Sequence, residues 1–348
     1  MTYEDVVGKN KMTGTRAKRN VCIAVSAVLL TLAALACVQP AGAWAQQTWR
    51  PTKAVELIVP TAPGGANDQV ARAIQKVVRD EKLVASPIEA INKPGGNQSI
   101  AVAYLQQHSA DPHYLLIANP TLIGSHIAGI SPVNYTDLTP LALLMSEHTV
   151  FSVPADSPIK TVRELFDRVR ADPDAVAFGV VSRGGPSHLA LSAAANAAGI
   201  DARKLKTVVF KTNPESLTAM VGGHIQAVAS SVSSALGHMK SGRTRLLGIV
   251  SAQRMAGELA QVPTLREQGL DVTQASWRVV FAPKGITPAQ AAFWEDTIAK
   301  MASADEWKRT LAANHWAGSF LRGKELTAYL ETNYRLTRSV MSDLGMAK

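Results

Sequence analysis

Cysteine is almost absent from this chain. Its 348 residues include only Cys22 and Cys37, and both lie within the first 45 positions. If that stretch is removed during export, no disulfide, thiolate metal site or cysteine nucleophile remains. Folding then depends on the hydrophobic core, and an apolar content of 47% over this length is sufficient for two ordinary domains.

The residue patterns of metal and catalytic sites are also missing. Eight histidines are scattered through the sequence without an H-x-x-x-H or H-E-x-x-H pair. Ser182 and Ser187 lie near His188 in the sequence, but no G-x-S-x-G elbow is present. Neither a Walker motif nor G-x-G-x-x-G occurs. We therefore expect no metal, no cofactor and no enzyme activity.

Aromatic residues and dense basic runs are scarce as well. Aromatic side chains make up 5% of the chain, and its lysines and arginines are spread out. This composition argues against nucleic-acid binding. Residues 1–45 carry five basic and two acidic residues, so their removal lowers the formal net charge from +9 to +6. Such a moderate positive charge favours anionic solutes.

The N-terminus has the pattern of an exported protein. Basic residues from Lys9 to Arg19 precede an apolar run from Val21 to Val38, and Ala43-Trp44-Ala45 follows. This order predicts a signal peptide, residues 1–45, cleaved after Ala45, and a periplasmic protein. A retained transmembrane anchor is one alternative, because the apolar run of about 18 residues is of borderline length. Lipidation at Cys37, which follows a poor lipobox, is another.

The remaining sequence alternates between strand and helix patterns. Apolar Ala54 to Pro60 predicts a buried strand, and Val70, Ile74, Val77 and Val78 have the spacing of one helical face. Further predicted strands are Ile88–Ile91, Tyr114–Ala118, Ala175–Val180, Thr207–Phe210, Ile225–Ala229 and Arg245–Val250. Further predicted helices are Ser99–His108, Thr161–Arg170, Ser187–Ala198, Pro214–Val221 and Ser233–Lys240. The alternation favours an α/β fold with mainly parallel sheets.

Three local patterns refine this outline. Thr161 and Glu164 have the spacing of a capping box, and Thr287-Pro288 is typical of a helix start. From Thr287 to Asp343 the pattern predicts helices and no strand. Two extended stretches, 142–154 and 276–283, lack an adjacent crossover helix and are the expected crossings between two lobes. Lobe 1 would contain residues 46–147 and 279–348, and lobe 2 residues 148–278.

A glycine-rich loop separates the first predicted strand from the first helix. The segment from Pro63 to Asp68 lets the backbone approach a ligand, and the helix that follows leaves N–H groups without intrahelical partners. Together these features favour an anion site, although an ordinary strand-to-helix turn capped by Asn67 or Asp68 would have the same pattern. The candidate ligand-binding residues here are Pro63, Gly64, Gly65, Ala66, Asn67 and Asp68.

A second loop has the same context, between the strand that ends at Val180 and the next helix. Ligands of open α/β sheets bind beyond the carboxyl ends of strands, so two such loops, one in each lobe, would face each other across a cleft. Arg183 could instead be a solvated side chain and His188 a structural one. The candidate residues here are Ser182, Arg183, Gly184, Gly185, Ser187 and His188.

Longer motifs resemble one known family. They include IVPTAPGGANDQVAR (Ile58 to Arg72), LTAMVGGHIQ (Leu217 to Gln226), VPTLREQG (Val262 to Gly269) and SWRVVFAPKG (Ser276 to Gly285). In order and spacing the chain from about Trp49 to Gly345 resembles the substrate-binding receptors of tripartite tricarboxylate transporters, also called Bug receptors.

The resemblance implies a fold and a function. It implies a type II periplasmic binding protein fold of two α/β lobes with a ligand cleft between them. It implies capture of a small organic carboxylate, a di- or tricarboxylate or a related organic acid, by hinge closure and delivery to the membrane permease subunits of the transporter. By position, Pro63, Gly64, Gly65 and Asp68 belong to the first ligand loop of the family, and Ser182, Gly185, Ser187 and His188 to the second. We expect a monomer. The alternative is a receptor that signals to a membrane sensor kinase.

The chain also departs from the family pattern. Where the family has P-P-G-G-G-T-D, this sequence has Ala62-Pro63-Gly64-Gly65-Ala66-Asn67-Asp68, and a second glycine run is reduced to Gly95-Gly96-Asn97-Gln98. Side chains therefore stand where bare backbone is common. Arg278 offers two possibilities: it could clamp a ligand carboxylate from the cleft wall, or form an ion pair at the surface or between lobes.

Overall fold

The structure is a computed structural model that describes residues 49–348. The predicted signal peptide, its cleavage site and the alternative lipidation at Cys37 lie outside the described residues. None of the helices between Trp49 and Lys348 is long and apolar enough to cross a membrane.

The first sheet is mixed and has six strands. Its order is β11-β4-β10-β3-β1-β2, and its strands are β1 (Val55–Val59), β2 (Ile88–Asn92), β3 (Tyr114–Ala118), β4 (Thr139–Glu147), β10 (Ser276–Ala282) and β11 (Ala317–Leu321). Strand β1 runs parallel to β2 and β3, whereas β10 is antiparallel to β3 and β4. All seven residues of β10 are buried, as expected for an inner strand covered on both faces.

The second sheet has five strands in the order β7-β6-β8-β5-β9. Its strands are β5 (Thr149–Pro154), β6 (Ala177–Val180), β7 (Lys206–Val209), β8 (Ala227–Ser231) and β9 (Thr244–Ile249). Strand β6 is parallel to β7 and β8, and β5 is antiparallel to β8 and β9. Each sheet therefore combines parallel strands with antiparallel ones at the crossings. We call the parts built on the two sheets lobe 1 and lobe 2.

Helices cover both sheets. They are α1 (Ala66–Asp80), α2 (Ser99–Gln107), α3 (Thr121–Ile127), α4 (Val162–Ala171), α5 (Pro186–Ala197), α6 (Asn213–Val221), α7 (Val232–Lys240), α8 (Pro288–Ser303), α9 (Asp305–Ala313) and α10 (Gly323–Asp343). The predicted apolar face of α1 is confirmed, because Val70, Ile74, Val77 and Val78 are all buried. Burial of such a stripe against the sheet supplies most of the stability of an amphipathic helix.

The chain passes between the sheets twice. His148 alone separates β4 of the first sheet from β5 of the second. The return lies between β9 and β10, and β10 pairs along its length with β4, from Ser276 with Glu147 to Ala282 with Thr139. Residues 276–278, predicted from the sequence to belong to lobe 2, are therefore strand residues of the first sheet. Their main-chain hydrogen bonds to β4 fix them there.

Two local predictions were wrong. The C-terminal part contains a strand, β11, which pairs with the edge of β4. The strand is short, irregular and only partly buried, so it does not need alternating apolar residues. Its sequence AGSFL therefore lacks the alternation that would have predicted a strand. The Thr161 hydroxyl does accept the Glu164 N–H at 3.1 Å, but the Glu164 carboxylate accepts from the N–H of Lys160 at 2.7 Å instead of closing the box. Thr287 caps α8 as predicted, with Gln290 completing a capping box.

Candidate functional site

A cavity of about 540 Å³ lies between the two lobes. In both sheets it is bordered by segments that follow the carboxyl ends of parallel strands, where open α/β sheets bind ligands. Lobe 1 contributes residues after β1, β2 and β3, and lobe 2 contributes residues after β6 and β7 and the last residue of β8. The lining residues are Pro60, Thr61, Ala62, Gly65, Ala66, Asn67, Pro94, Gly95, Gly96, Asn97, Gln98, Asn119, Thr121, Glu147, His148, Thr149, Val181, Ser182, Pro186, Ser187, Lys211, Thr212, Asn213, Ser231, Ser276 and Arg278.

The loop before α1 is held by an internal hydrogen bond. Gly64 has φ 78°, a conformation that favours glycine, and its N–H donates to Asp68 Oδ2 at 2.9 Å. Gly65 is the N-cap of α1, and no side chain caps this helix. Asp68 also accepts from Asn92 Nδ2 at 2.9 Å, which ties the loop to the end of β2. Asp68 thus fixes the conformation of the loop without lining the cavity. The first N–H groups of α1 are left open to the cavity.

The loop before α5 repeats this geometry in lobe 2. Gly184 has φ 72°, and its N–H donates to His188 Nδ1 at 3.0 Å, four residues ahead as in the first loop. Gly185 is the uncapped N-cap of α5, and its N–H donates to Ser182 O at 3.2 Å. Burial lowers the pKa of His188 to about 4, and the nearby Arg183 guanidinium makes a smaller contribution in the same direction. His188 is therefore neutral at physiological pH, as an acceptor of the Gly184 N–H must be.

The two loops give the cavity a positive electrostatic character without charged side chains. Each helix N-terminus carries the equivalent of roughly half a positive charge, together with N–H groups that have no intrahelical partner. Two such ends on opposite walls form a site suited to an anion. Lys211 adds a formal charge at the exposed side of the wall after β7.

The lobes touch beside the cavity. Asn97 Nδ2 in lobe 1 donates to the carbonyl of Arg183 in lobe 2 at 3.2 Å. Gly124, in α3, packs so closely on the second loop that a Cβ there would lie 2.4 Å from the Gly184 oxygen. A Cβ on Gly185 would likewise lie 3.0 Å from Thr121 Oγ1. Glycines at these positions therefore permit backbone contact between the lobes.

A chain of amides lines the wall of lobe 1. The backbone N–H of Thr121 donates to Asn119 Oδ1 at 2.9 Å, which fixes the orientation of that amide. Asn119 Nδ2 then donates to Asn67 Oδ1 at 3.5 Å, and Gln98 Nε2 donates to Asn119 Oδ1. Within the described chain Asn67 Nδ2 and Gln98 Oε1 have no partner, although both residues are at most 5% exposed.

A buried ion pair lies at the crossing between the lobes. Arg278 Nη2 donates to Glu147 Oε2 at 3.2 Å, and the two side chains are 3% and 2% exposed. Arg278 Nη1 donates to Ser276 Oγ at 2.8 Å and to the Trp277 carbonyl at 3.0 Å. Burial lowers the pKa of Arg278, and the Glu147 carboxylate opposes this shift. Arg278 thus lies in the cavity wall, and its ion pair is buried between β4 and β10 of the first sheet, neither at the surface nor between the lobes. A contact with a ligand carboxylate stays a prediction.

The candidate residues from the sequence separate into two groups. Gly65, Ala66, Asn67, Ser182, Ser187 and Arg278 line the cavity. The lining does not include Pro63, Gly64, Asp68, Arg183, Gly184, Gly185 and His188. Members of the second group shape the two loops or, in the case of the Arg183 side chain, face solvent.

Sequence reasoning missed much of the lining. Asn119 and Thr121 follow β3, and Lys211, Thr212 and Asn213 follow β7. Polar residues directly after predicted parallel strands were the signal that could have identified them. Glu147 had no such signal, because its place in the wall depends on how β4 crosses to the second sheet.

Comparisons with known proteins agree with this architecture. A family model, the tripartite tricarboxylate transporter family receptor, matches residues 70–339. The chain belongs to this family. A relative from Cupriavidus necator, the UPF0065 protein in the gbd 5′ region, is 26% identical over 327 residues, which cover 94% of this chain and 96% of the relative.

Solved structures show the same two-lobe fold. A Rhodopseudomonas palustris protein solved with adipate is 22% identical to this receptor, with a TM-score of 0.78 over 85% of this chain and 99% of that one. MatC from Rhodopseudomonas palustris, with bound malate, is 21% identical, with a TM-score of 0.72 over 86% of this chain and 100% of that one. The family and the fold are those of solute-binding receptors.

Proposed function

We propose that the protein is an exported periplasmic receptor that captures a small carboxylate and delivers it to the membrane permease subunits of a tripartite tricarboxylate transporter. In this role it needs no metal, cofactor or nucleic acid, catalyses no reaction, and acts as a monomer. The signal peptide would end at Ala45, so that the receptor begins at Gln46.

One observation carries this proposal. The first helical turns of α1 and α5, one from each lobe, border the same cavity, and neither helix has a side-chain cap. Their N–H groups are the strong donors that a carboxylate accepts, and each macrodipole favours negative charge. Among solved neighbours with this fold, one contains adipate and another malate.

The same geometry supports a proposed role for each candidate residue. The backbone N–H groups of Ala66 and Asn67 would meet the carboxylate from lobe 1, and that of Ser187 from lobe 2, together with the Ser182 hydroxyl. Gly65 lines the same wall, while its own N–H donates to the Ala62 carbonyl at 3.1 Å. Pro63, Gly64 and Asp68 would hold the first loop in shape. Gly184, Gly185 and His188 would hold the second, with Arg183 at its outer side and Arg278 in the wall.

Capture would occur by hinge closure. Within the described residues we propose lobe 1 as residues 49–147 and 276–348 and lobe 2 as residues 148–275, with hinges at His148 and before Ser276. A solute bound to the first loop would be enclosed when the second loop approaches, and the contact between Gly124 and Gly184 would limit the closure. Since the ligand contacts both lobes only in the closed form, it shifts the equilibrium towards that form.

Uptake of a radiolabelled carboxylate tests the delivery step. Cells that lack this receptor gene but retain the permease should lose uptake, and the wild-type gene should restore it. The Gly185→Val variant serves as a matched defective receptor, because its side chain would collide with Ser182 and Thr121. Uptake that survives deletion of the receptor, for every carboxylate that the purified protein binds, would refute delivery.

A further inference from the structure

The cavity wall contains hydrogen-bond acceptors as well as the donors that a carboxylate needs. Gln98 Oε1 has no partner within residues 49–348, and Gln98 is 5% exposed. Its orientation is fixed, because its Nε2 donates to Asn119 Oδ1, which also accepts the backbone N–H of Thr121. A buried acceptor without a partner is costly, and because Gln98 lines the cavity, a donor from a ligand there would satisfy Gln98 Oε1.

Two further acceptors border the same cavity. Asn213 Nδ2 donates to Ser231 Oγ at 3.2 Å, which leaves Asn213 Oδ1 without a partner in the described chain. Glu147 Oε1 accepts from Ser233 N at 3.4 Å, Ser233 Oγ and Trp316 Nε1 at 3.3 Å, whereas Oε2 accepts only from Arg278. A carboxylate has about four acceptor positions, so one at Oε2 stays open.

The backbone at Gln98 provides an independent observation. Gly95, Gly96, Asn97 and Gln98 have consecutive φ values of 117°, 55°, 48° and 75°. This left-handed region favours glycine and costs a glutamine about 1 kcal/mol or more. A glutamine side chain is therefore present at a position where glycine would fit with less strain, and its unpaired acceptor belongs to a residue that lines the ligand cavity.

The buried ion pair disfavours a ligand carboxylate at the crossing between the lobes. Glu147 and Arg278 neutralise each other within the wall. A ligand carboxylate placed at this end would meet the Glu147 carboxylate, and like charges repel. The anion site therefore lies at the two helix N-termini and beside Lys211, and the part of the wall next to Glu147 is suited to a donor.

We propose that the solute is a carboxylate that also bears a hydrogen-bond donor, a hydroxyl or an ammonium group, and that Gln98, Asn213 and Glu147 recognise this donor. This inference rests on the proposed function. The carboxylate accepts from the N-termini of α1 and α5, while the donor contacts the acceptors of the wall. The plain acid of the same skeleton leaves those acceptors unpaired and binds more weakly.

Calorimetric titration with matched acids tests this specificity. The probes are three trios of one skeleton each: propionate, lactate and alanine; succinate, malate and aspartate; glutarate, 2-hydroxyglutarate and glutamate. In at least one trio the donor-bearing acid should bind about tenfold more tightly than the plain acid, the equivalent of one hydrogen bond. Preference for the hydroxy acid assigns a hydroxyl donor, and preference for the amino acid assigns an ammonium donor.

Two variants locate the effect. Gln98→Gly removes the acceptor from a backbone that suits glycine, and should reduce the preference to below about threefold. Lys82→Gly is the matched control, because Lys82 has φ 50° and lies outside the cavity; it should leave the preference unchanged. Plain acids that bind as tightly as their partners, or a preference that survives Gln98→Gly, would overturn the inference while leaving the proposed function intact. Binding of no acid in any trio would overturn the inference, and a lack of binding to tricarboxylates as well would remove the proposed function.

Discussion

The contact between Gly124 and Gly184 allows a direct test of lobe closure. Gly124 lies inside helix α3 of lobe 1, and a Cβ on it would be 2.4 Å from the backbone oxygen of Gly184 in lobe 2. The Gly124→Ala substitution therefore forces the second loop back by about 1 Å before the lobes can meet. In an opened form the same methyl group has room, because the two residues belong to different lobes.

The size of the effect follows from overpacking. An inserted methyl group that displaces backbone costs about 1–3 kcal/mol. If only the closed form is penalised, ligand affinity falls by about 5- to 150-fold. Stability of the folded chain should not fall, because alanine exceeds glycine in helix propensity by about 1 kcal/mol.

Gly237 provides the matched control. It lies inside helix α7, and a Cβ built there has no neighbour within 4 Å. Gly237→Ala should raise the stability by about 1 kcal/mol and leave affinity unchanged. Calorimetric titration with the bound carboxylate measures affinity, and urea unfolding measures stability. Equal affinities for Gly124→Ala and wild type would refute the claim that ligand binding requires this contact.

Further predictions concern the loops and the buried pair. Gly65→Val places a Cβ 2.9 Å from Thr61 Oγ1 and 3.1 Å from the Ala62 oxygen, so carboxylate affinity measured by calorimetry should fall at least about tenfold while the folded circular dichroism spectrum is retained. Arg278→Met should cost about 3–5 kcal/mol of unfolding free energy, because it leaves Glu147 buried without its cation, and Glu147→Gln in the same chain should restore part of the loss; a fully additive double variant in urea unfolding would contradict this pairing. The pKa of His188 is lowered to about 4 from its ordinary 6.5, so the unfolded chain binds a proton first as the pH falls. Stability should therefore decline between about pH 6.5 and 4 relative to His188→Gln, by up to about 3 kcal/mol, and identical pH profiles would rule out a neutral buried imidazole.

The regular elements could be predicted well from the sequence. Strand β3 has the predicted bounds Tyr114–Ala118, and α1 buries the predicted apolar face. These elements carry strong local signals, namely an apolar run or a helical period. Strand β11 was missed, because its pairing with β4 depends on tertiary contact and its AGSFL sequence has no alternation.

The site could be predicted only in part. The two glycine loops are local features, so their positions before α1 and α5 followed from the sequence. Which of their residues line the cavity did not follow: Asp68 and His188 turn back to hold Gly64 and Gly184, a geometry set by hydrogen bonds across the turn. The Glu147–Arg278 pair depends on the alignment of β4 with β10, two strands that are far apart in the sequence.

Thermal unfolding of the purified protein against a panel of carboxylates tests the central claim most directly. The protein is first freed of bound solute by unfolding and refolding, and then heated with mono-, di- and tricarboxylates and with hydroxy and amino acids. A ligand that binds only the folded state, at about a hundredfold its dissociation constant, stabilises that state by about 2.7 kcal/mol. A receptor for a small carboxylate should show such a shift with at least one class of these acids. An unchanged unfolding temperature with every acid in the panel would contradict the account.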